Sequence, residues 1–116
     1  MTTACLAQLK PMTQGNRHRN PVITVTDWDT GEIIADVETA SWSGHIRQYG
    51  NDWRPIEGTL TGLGDGQVEW AVHDGDDEVA TPLDEVTTFE IMLKGSFNGK
   101  PLYTVVGRFP MCPGGL

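Results

Sequence analysis

The sequence predicts an all-β domain, a single sandwich of about seven short antiparallel strands. Three observations carry the prediction. The run Ala40-Ser41-Trp42-Ser43-Gly44-His45-Ile46-Arg47 alternates without a slip. Ala40, Trp42, Gly44 and Ile46 fall on one side of it; Ser41, Ser43, His45 and Arg47 fall on the other. A strand sends successive side chains to opposite faces, so this is a half-buried strand whose core face is shaped around the Trp42 indole. The 14 Gly and 7 Pro punctuate short apolar runs, as turns between strands require. No window of helical length keeps an apolar stripe at i, i+3, i+4 and i+7.

The elements follow in order. Residues 1–21 are polar after a short apolar start, with nothing that could pack as an independent element, and are expected as an extended basic arm. Residues 22–27 form the first strand, with Ile23 and Val25 against Thr24 and Thr26. Asp27 to Gly31 is a turn, in which Asp caps its own backbone and Gly supplies a positive φ. Residues 32–36 return as a second strand, and 40–47 is the third. Residues 53–61 are a fourth strand, marked as an edge by Pro55. After the tight turn Gly62-Leu63-Gly64-Asp65-Gly66, residues 67–73 turn Val68, Trp70 and Val72 inward. An acidic loop covers Asp74 to Glu78 and extends through Pro82 to Glu85. Residues 87–93 place Phe89, Ile91 and Leu93 in the core. Asn98-Gly99 is the strongest short hairpin signal in the chain and leads into a last strand over 102–109. Residues 110–116 are a Pro- and Gly-rich tail. The sandwich domain is therefore 22–109, of immunoglobulin-like type, and its predicted core is Trp42, Trp70, Val68, Phe89 and Ile91, with Trp42 and Trp70 buried and close together.

A chain of 116 residues allows one domain. No apolar run approaches the ~20 residues that span a bilayer, and the N-terminus lacks a signal-peptide hydrophobic region. The expectation is a protein without a membrane partner, assembled in a cytoplasm. Cys5 and Cys112 make no disulfide framework and are expected as free thiols. The net charge of −8 is uneven: residues 1–21 hold Lys10, Arg17 and Arg19 and no acid, whereas the remainder holds 16 acids against 5 bases. An acidic body argues against a nucleic-acid partner, which needs clustered Lys and Arg. The arm is expected to lie on a neighbouring subunit, held by Leu6, Leu9 and Lys10, with Arg17 and Arg19 pairing with carboxylates.

No pattern points to catalysis, and the expectation is a non-enzyme without cofactors. The acids at 74–78, 84 and 85 lack the glycine and glutamate spacing of an EF-hand loop, so they are expected as an exposed, metal-free loop. Asp27, Asp29 and Glu32 are explained by the capped turn. His18, His45 and His73 stand far apart and beside no cysteine pair, which disfavours zinc. There is no Gly-x-Ser-x-Gly elbow and no triad-like order. Trp28, at a turn, and Trp53, beside a loop, are the expected exposed aromatics, able to anchor a protein interface or stack on sugar rings.

Several segments resemble short immunoglobulin-like modules of tailed-phage virions, the N-terminal domain family of phage upper baseplate proteins in particular. They are Ala35-Asp36-Val37-Glu38-Thr39-Ala40-Ser41-Trp42, Gly66-Gln67-Val68-Glu69-Trp70 with the acidic segment after it, Thr88-Phe89-Glu90-Ile91, and Phe97-Asn98-Gly99-Lys100. The likeness covers roughly residues 22–109. Pro82-Leu83-Asp84-Glu85 stands where the family has a glycine. A baseplate adaptor would continue into further domains, so a bare sandwich looks more like a capsid decoration (cement) protein or a small tail subunit. The resemblance implies a virion structural protein, assembled in the host cytoplasm and bound to capsid or tail subunits as a homo-oligomer in the particle. The exposed tryptophans keep open a carbohydrate-binding or host-attachment module.

Overall fold

In the computed structural model the described residues are 3–13, 15, 20–34, 37–73, 75–76 and 86–112. They form nine strands and one 3-10 turn, Val37–Thr39, in the order β1 (Thr3–Gln8), β2 (Met12–Thr13), β3 (Val22–Asp27), β4 (Ser41–Gln48), β5 (Arg54–Pro55), β6 (Thr59–Gly62), β7 (Gln67–Ala71), β8 (Thr87–Phe97) and β9 (Lys100–Cys112). The all-β class is as the alternation predicts.

One hydrogen-bonded path, β5-β4-β8-β9-β1-β3-β7-β6, runs through eight of these strands, and β2 joins β9 beside it. Divided at β1, the path has β3-β7-β6 as one half and β9-β8-β4-β5 as the other. Here β1 bonds to both halves, parallel to β9 from Thr3↔Tyr103 to Leu6↔Val106 and antiparallel to β3 from Cys5↔Asp27 to Gln8↔Thr24. The result is a single curled sheet in which β6, at one end, packs against β4 near the other.

Over β1 and β2 this placement corrects the expectation that residues 1–21 form an arm extended on a neighbouring subunit. β1 is bonded on both edges and β2 pairs with β9, with Cys5, Ala7 and Met12 buried. The inward side chains are small, so β1 can lie between two strands without a strongly apolar alternation of its own. Cys5 and Cys112 are not joined in a disulfide. Burial first, and the nearby Asp27 charge second, push the Cys5 thiol up to about 11. The predicted tail also begins too early, because β9 continues to Cys112 and buries Met111.

Two predicted strands are shorter than expected. The turn at Asp27 forms as read: Asp27 Oδ1 accepts from the Asp29 and Thr30 amides, and Gly31 has φ +74°. The return beyond it is a single bridge, Thr26↔Ile33, because β1 and β7 occupy most of both edges of β3. Residues 35 and 36 lie outside the described residues. The strand expected over 53–61 is divided. β5 pairs with β4, the chain crosses over, and β6 pairs with β7. Pro55 has no amide to continue the first pairing. The β8–β9 hairpin turns on Asn98 and Gly99, whose φ values of 51° and 77° suit a two-residue turn with both residues left-handed.

The core comprises Ile23, Val25, Val37, Ile46, Val68, Trp70, Phe89, Ile91, Leu93, Val105, Phe109 and Met111. Trp70 meets the Phe109 ring edge-on, at 6.4 Å and 74°. Trp42, expected to be buried, is only half-buried and packs against the core from outside it. Its ring lies over Gly95, its register partner on β8, and stacks on Tyr103 of β9 at 6.0 Å and 8°. Its Nε1 donates to the Val37 carbonyl at 2.8 Å. The expected alternation of β4 holds, with Trp42 the second residue of the strand and intermediate in burial. A Cβ on Gly95 would stand 2.8–3.0 Å from three atoms of the held indole. Gly95→Ala should therefore lower stability by about 1–3 kcal/mol, measured by urea unfolding, as overpacking does elsewhere.

The acidic loop is corrected as well. Asp76 is 1% exposed. Its carboxylate accepts from the amides of Glu57 (2.7 Å), Gly58 (3.0 Å) and His73 (3.1 Å) and from Trp70 Nε1 (2.9 Å). Arg54 of β5 donates to the carbonyls of Gly75 and Asp76. Gly75 and Asp76 thus clasp the β5–β6 crossover against β7. Asp74, Asp77, Glu78, Asp84 and Glu85 lie outside the described residues.

Candidate functional site

The outer face of the β4-β8-β9-β1 half is built by the residues that alternate away from the core. In register across it run His45, Met92, Val106 and Leu6, and beside them Arg47, Glu90 and Arg108. Arg47 binds Glu90 Oε1 through Nε at 2.9 Å and a terminal nitrogen at 2.8 Å, and Arg108 Nε binds Oε2 at 3.0 Å. The Glu90 side chain is 12% exposed, so the two guanidinium groups cover it almost completely. Each guanidinium also meets an aromatic ring: Arg47 lies 4.4 Å from the Trp53 centroid and Arg108 lies 5.1 Å from that of Tyr49. At exposed sites such contacts contribute about 0.5–1 kcal/mol, enough to hold the rings in place.

Burial alone would raise the Glu90 carboxyl, but hydrogen bonds and charge from Arg108 and Arg47 outweigh it and hold it below its ordinary value of 4.5. A carboxyl lowered by folding stabilises the protein above its unfolded pKa, and this contribution disappears as pH falls through the folded value. Glu90→Gln should therefore be less stable than wild type at pH 7, with the gap closing only as pH falls below 4.5. Urea unfolding of both proteins across that range measures it.

Beside this cluster, a groove of about 720 Å³ opens where β1 leaves β9. The parallel pairing ends at Leu6↔Val106 and resumes only at Met12↔Met111. Gly107 faces Ala7 in the gap, where a Cβ would strike the Ala7 carbonyl and side chain. Leu6, Leu9 and Val106 supply apolar lining, Trp28 and Trp53 are further lining residues, and Gln8, Glu90 and Arg108 are its polar side chains. Trp28 is 55% exposed, Val106 37% and Trp53 36%. The Trp28 amide donates to the Ala4 carbonyl at 3.1 Å, which fixes its turn to β1.

Four residues expected at an interface, Leu6, Leu9, Trp28 and Trp53, meet in this groove. Lys10 is exposed and lines a separate cleft with Pro11 and Asn20. Arg17 and Arg19 lie outside the described residues. Val68, Trp70, Phe89 and Ile91 are fully buried, as expected of a core. Arg47, Glu90, Arg108 and Val106 are site residues that sequence reasoning missed. They lie on three strands and meet only through strand register. The one available signal was alternation, which puts Glu90 opposite Phe89 and Ile91. Among the described residues no three His, Cys, Asp or Glu side chains are grouped to hold a metal ion. Nor is any helix there long and apolar enough to cross a membrane. No protein-family model, curated protein or solved structure matches the chain.

Proposed function

We propose that this chain is a non-catalytic structural protein of a bacteriophage particle, a capsid decoration (cement) protein or a small tail or baseplate subunit. Its docking surface is the groove face, through which it binds neighbouring virion proteins after assembly in the host cytoplasm. The observation that carries this reading is the grouping of exposed Trp28, Trp53 and Val106 around one groove built on rigid strands. Exposed apolar patches rimmed by polar groups mark interaction sites, and Trp and Arg are the side chains that most often anchor them. The resemblance of residues 22–109 to phage virion modules supplies the setting. Anchoring passes from the N-terminal arm to the sheet face because β1 and β2 are committed to the sheet.

A carbohydrate-binding or host-attachment module is the second reading, favoured by the two tryptophans that line one groove. Quantitative mass spectrometry of purified particles, together with a glycan array probed with the isolated protein, separates the two. A structural protein is present in many copies per particle and leaves the array blank. A chain absent from particles that binds glycans supports the second reading.

A further inference from the structure

We infer that the groove is half of a self-complementary contact, in which Trp28 and Asp29 of a second copy of this chain enter the groove and meet Arg108. The inference rests on the docking reading above and names the partner. The polar side chains lining the groove are Gln8, Glu90 and Arg108, and both Glu90 oxygens are already taken by Arg47 and Arg108. A sugar leaving water needs many hydrogen-bond partners, which this lining does not offer. An apolar ring next to a carboxylate suits it better. The ring would contact Leu6 and Val106, and the carboxylate would meet the Arg108 terminal nitrogens, which make no hydrogen bond among the described residues.

Charge points to the same partner. Strands β4, β8 and β9 carry Arg47, Lys94, Lys100 and Arg108 against Glu90 alone, in a chain of net charge −8. Two of the acids outside these strands, Asp27 and Asp29, flank the groove residue Trp28, so the same patch of a second copy offers Arg108 the opposite sign. The chain also displays the required anchor. Trp28 is more than half exposed between Asp27 and Asp29, on a turn that Asp27 Oδ1 holds rigid through the Asp29 and Thr30 amides. A preformed anchor loses little entropy on docking. Because Trp28 also lines the groove, donor and acceptor belong to one patch, as an isologous two-fold contact requires.

Sedimentation velocity of the full chain over a range of concentrations tests this. The expected result is a monomer–dimer equilibrium weakened by salt. Trp28→Ser should raise its dissociation constant on the order of 30-fold, as for an interface hot spot. Asp29→Arg and Arg108→Glu should each weaken the dimer, and an equimolar mixture of the two should restore it. In the mixed dimer one contact is native and the other is charge-swapped, so both are again attractive. Thermal melts establish that each variant is folded. Asp29→Arg, on an exposed turn, decides alone if Arg108→Glu melts early beside Glu90. A chain that stays monomeric at submillimolar concentration overturns the inference, as does a dimer indifferent to Trp28→Ser and Asp29→Arg. If the chain is monomeric yet the same variants are lost from particles, a different virion protein occupies the groove and the docking reading stands without self-association.

Discussion

Deleting residues 1–13 is expected to abolish cooperative folding. β1 is the strand through which the two halves of the sheet are joined, bonded to β9 on one side and β3 on the other. Its loss bares two internal edges at once, a condition that invites mispairing with other chains. It also removes Cys5, Ala7 and Met12 from the core. Burial of a methionine side chain alone contributes about 1.5–3 kcal/mol, against a whole-domain stability of about 5–15 kcal/mol. The deleted protein should show no sharp urea transition and a collapsed amide proton spectrum. A dispersed spectrum with a cooperative melt would mean that β3 and β9 close on each other without β1.

Asp76→Ala is the point substitution with the largest expected cost, about 3–5 kcal/mol. It leaves four donors unanswered: the amides of Glu57, Gly58 and His73, and the indole nitrogen of fully buried Trp70. A buried donor without a partner costs about 1–3 kcal/mol, and some of these four regain water, so the total stays below their sum. Asp76→Asn keeps one acceptor oxygen and should fall between alanine and wild type. Chemical denaturation of the three proteins orders them. A Asp76→Ala variant within about 1 kcal/mol of wild type would mean that the clasp on the β5–β6 crossover is not a source of stability.

These two predictions concern the places where the sequence was least legible, and each has a physical reason. In β1 the outward residue Leu6 is larger and more apolar than its inward neighbours Cys5 and Ala7. Binary patterning therefore reads the strand backwards or not at all. Asp76 sits in the run Asp74-Gly75-Asp76-Asp77-Glu78, where composition argues for solvent exposure and only the fold reveals four convergent donors. Where alternation is strong the reading held: Ile46 and Gly44 inward on β4, Val68 and Trp70 on β7, Phe89, Ile91 and Leu93 on β8, and the Asn98-Gly99 turn. The site was half legible. Trp28 and Trp53 stand out as aromatics beside turn residues, whereas Arg47, Glu90 and Arg108 become one cluster only once β4, β8 and β9 are in register.

Docking through the groove face is tested most directly by the occupancy of a Trp28→Ser, Trp53→Ser double variant in purified particles assembled without the wild-type chain. Trp28 is 55% exposed and Trp53 36%, so the isolated variant should stay folded and lose only about 0.5–1 kcal/mol with the Arg47–Trp53 contact. Loss of two anchor tryptophans should lower occupancy at least about tenfold. A variant that folds normally and fills the particles to the wild-type level would contradict the assignment of this face as the docking surface.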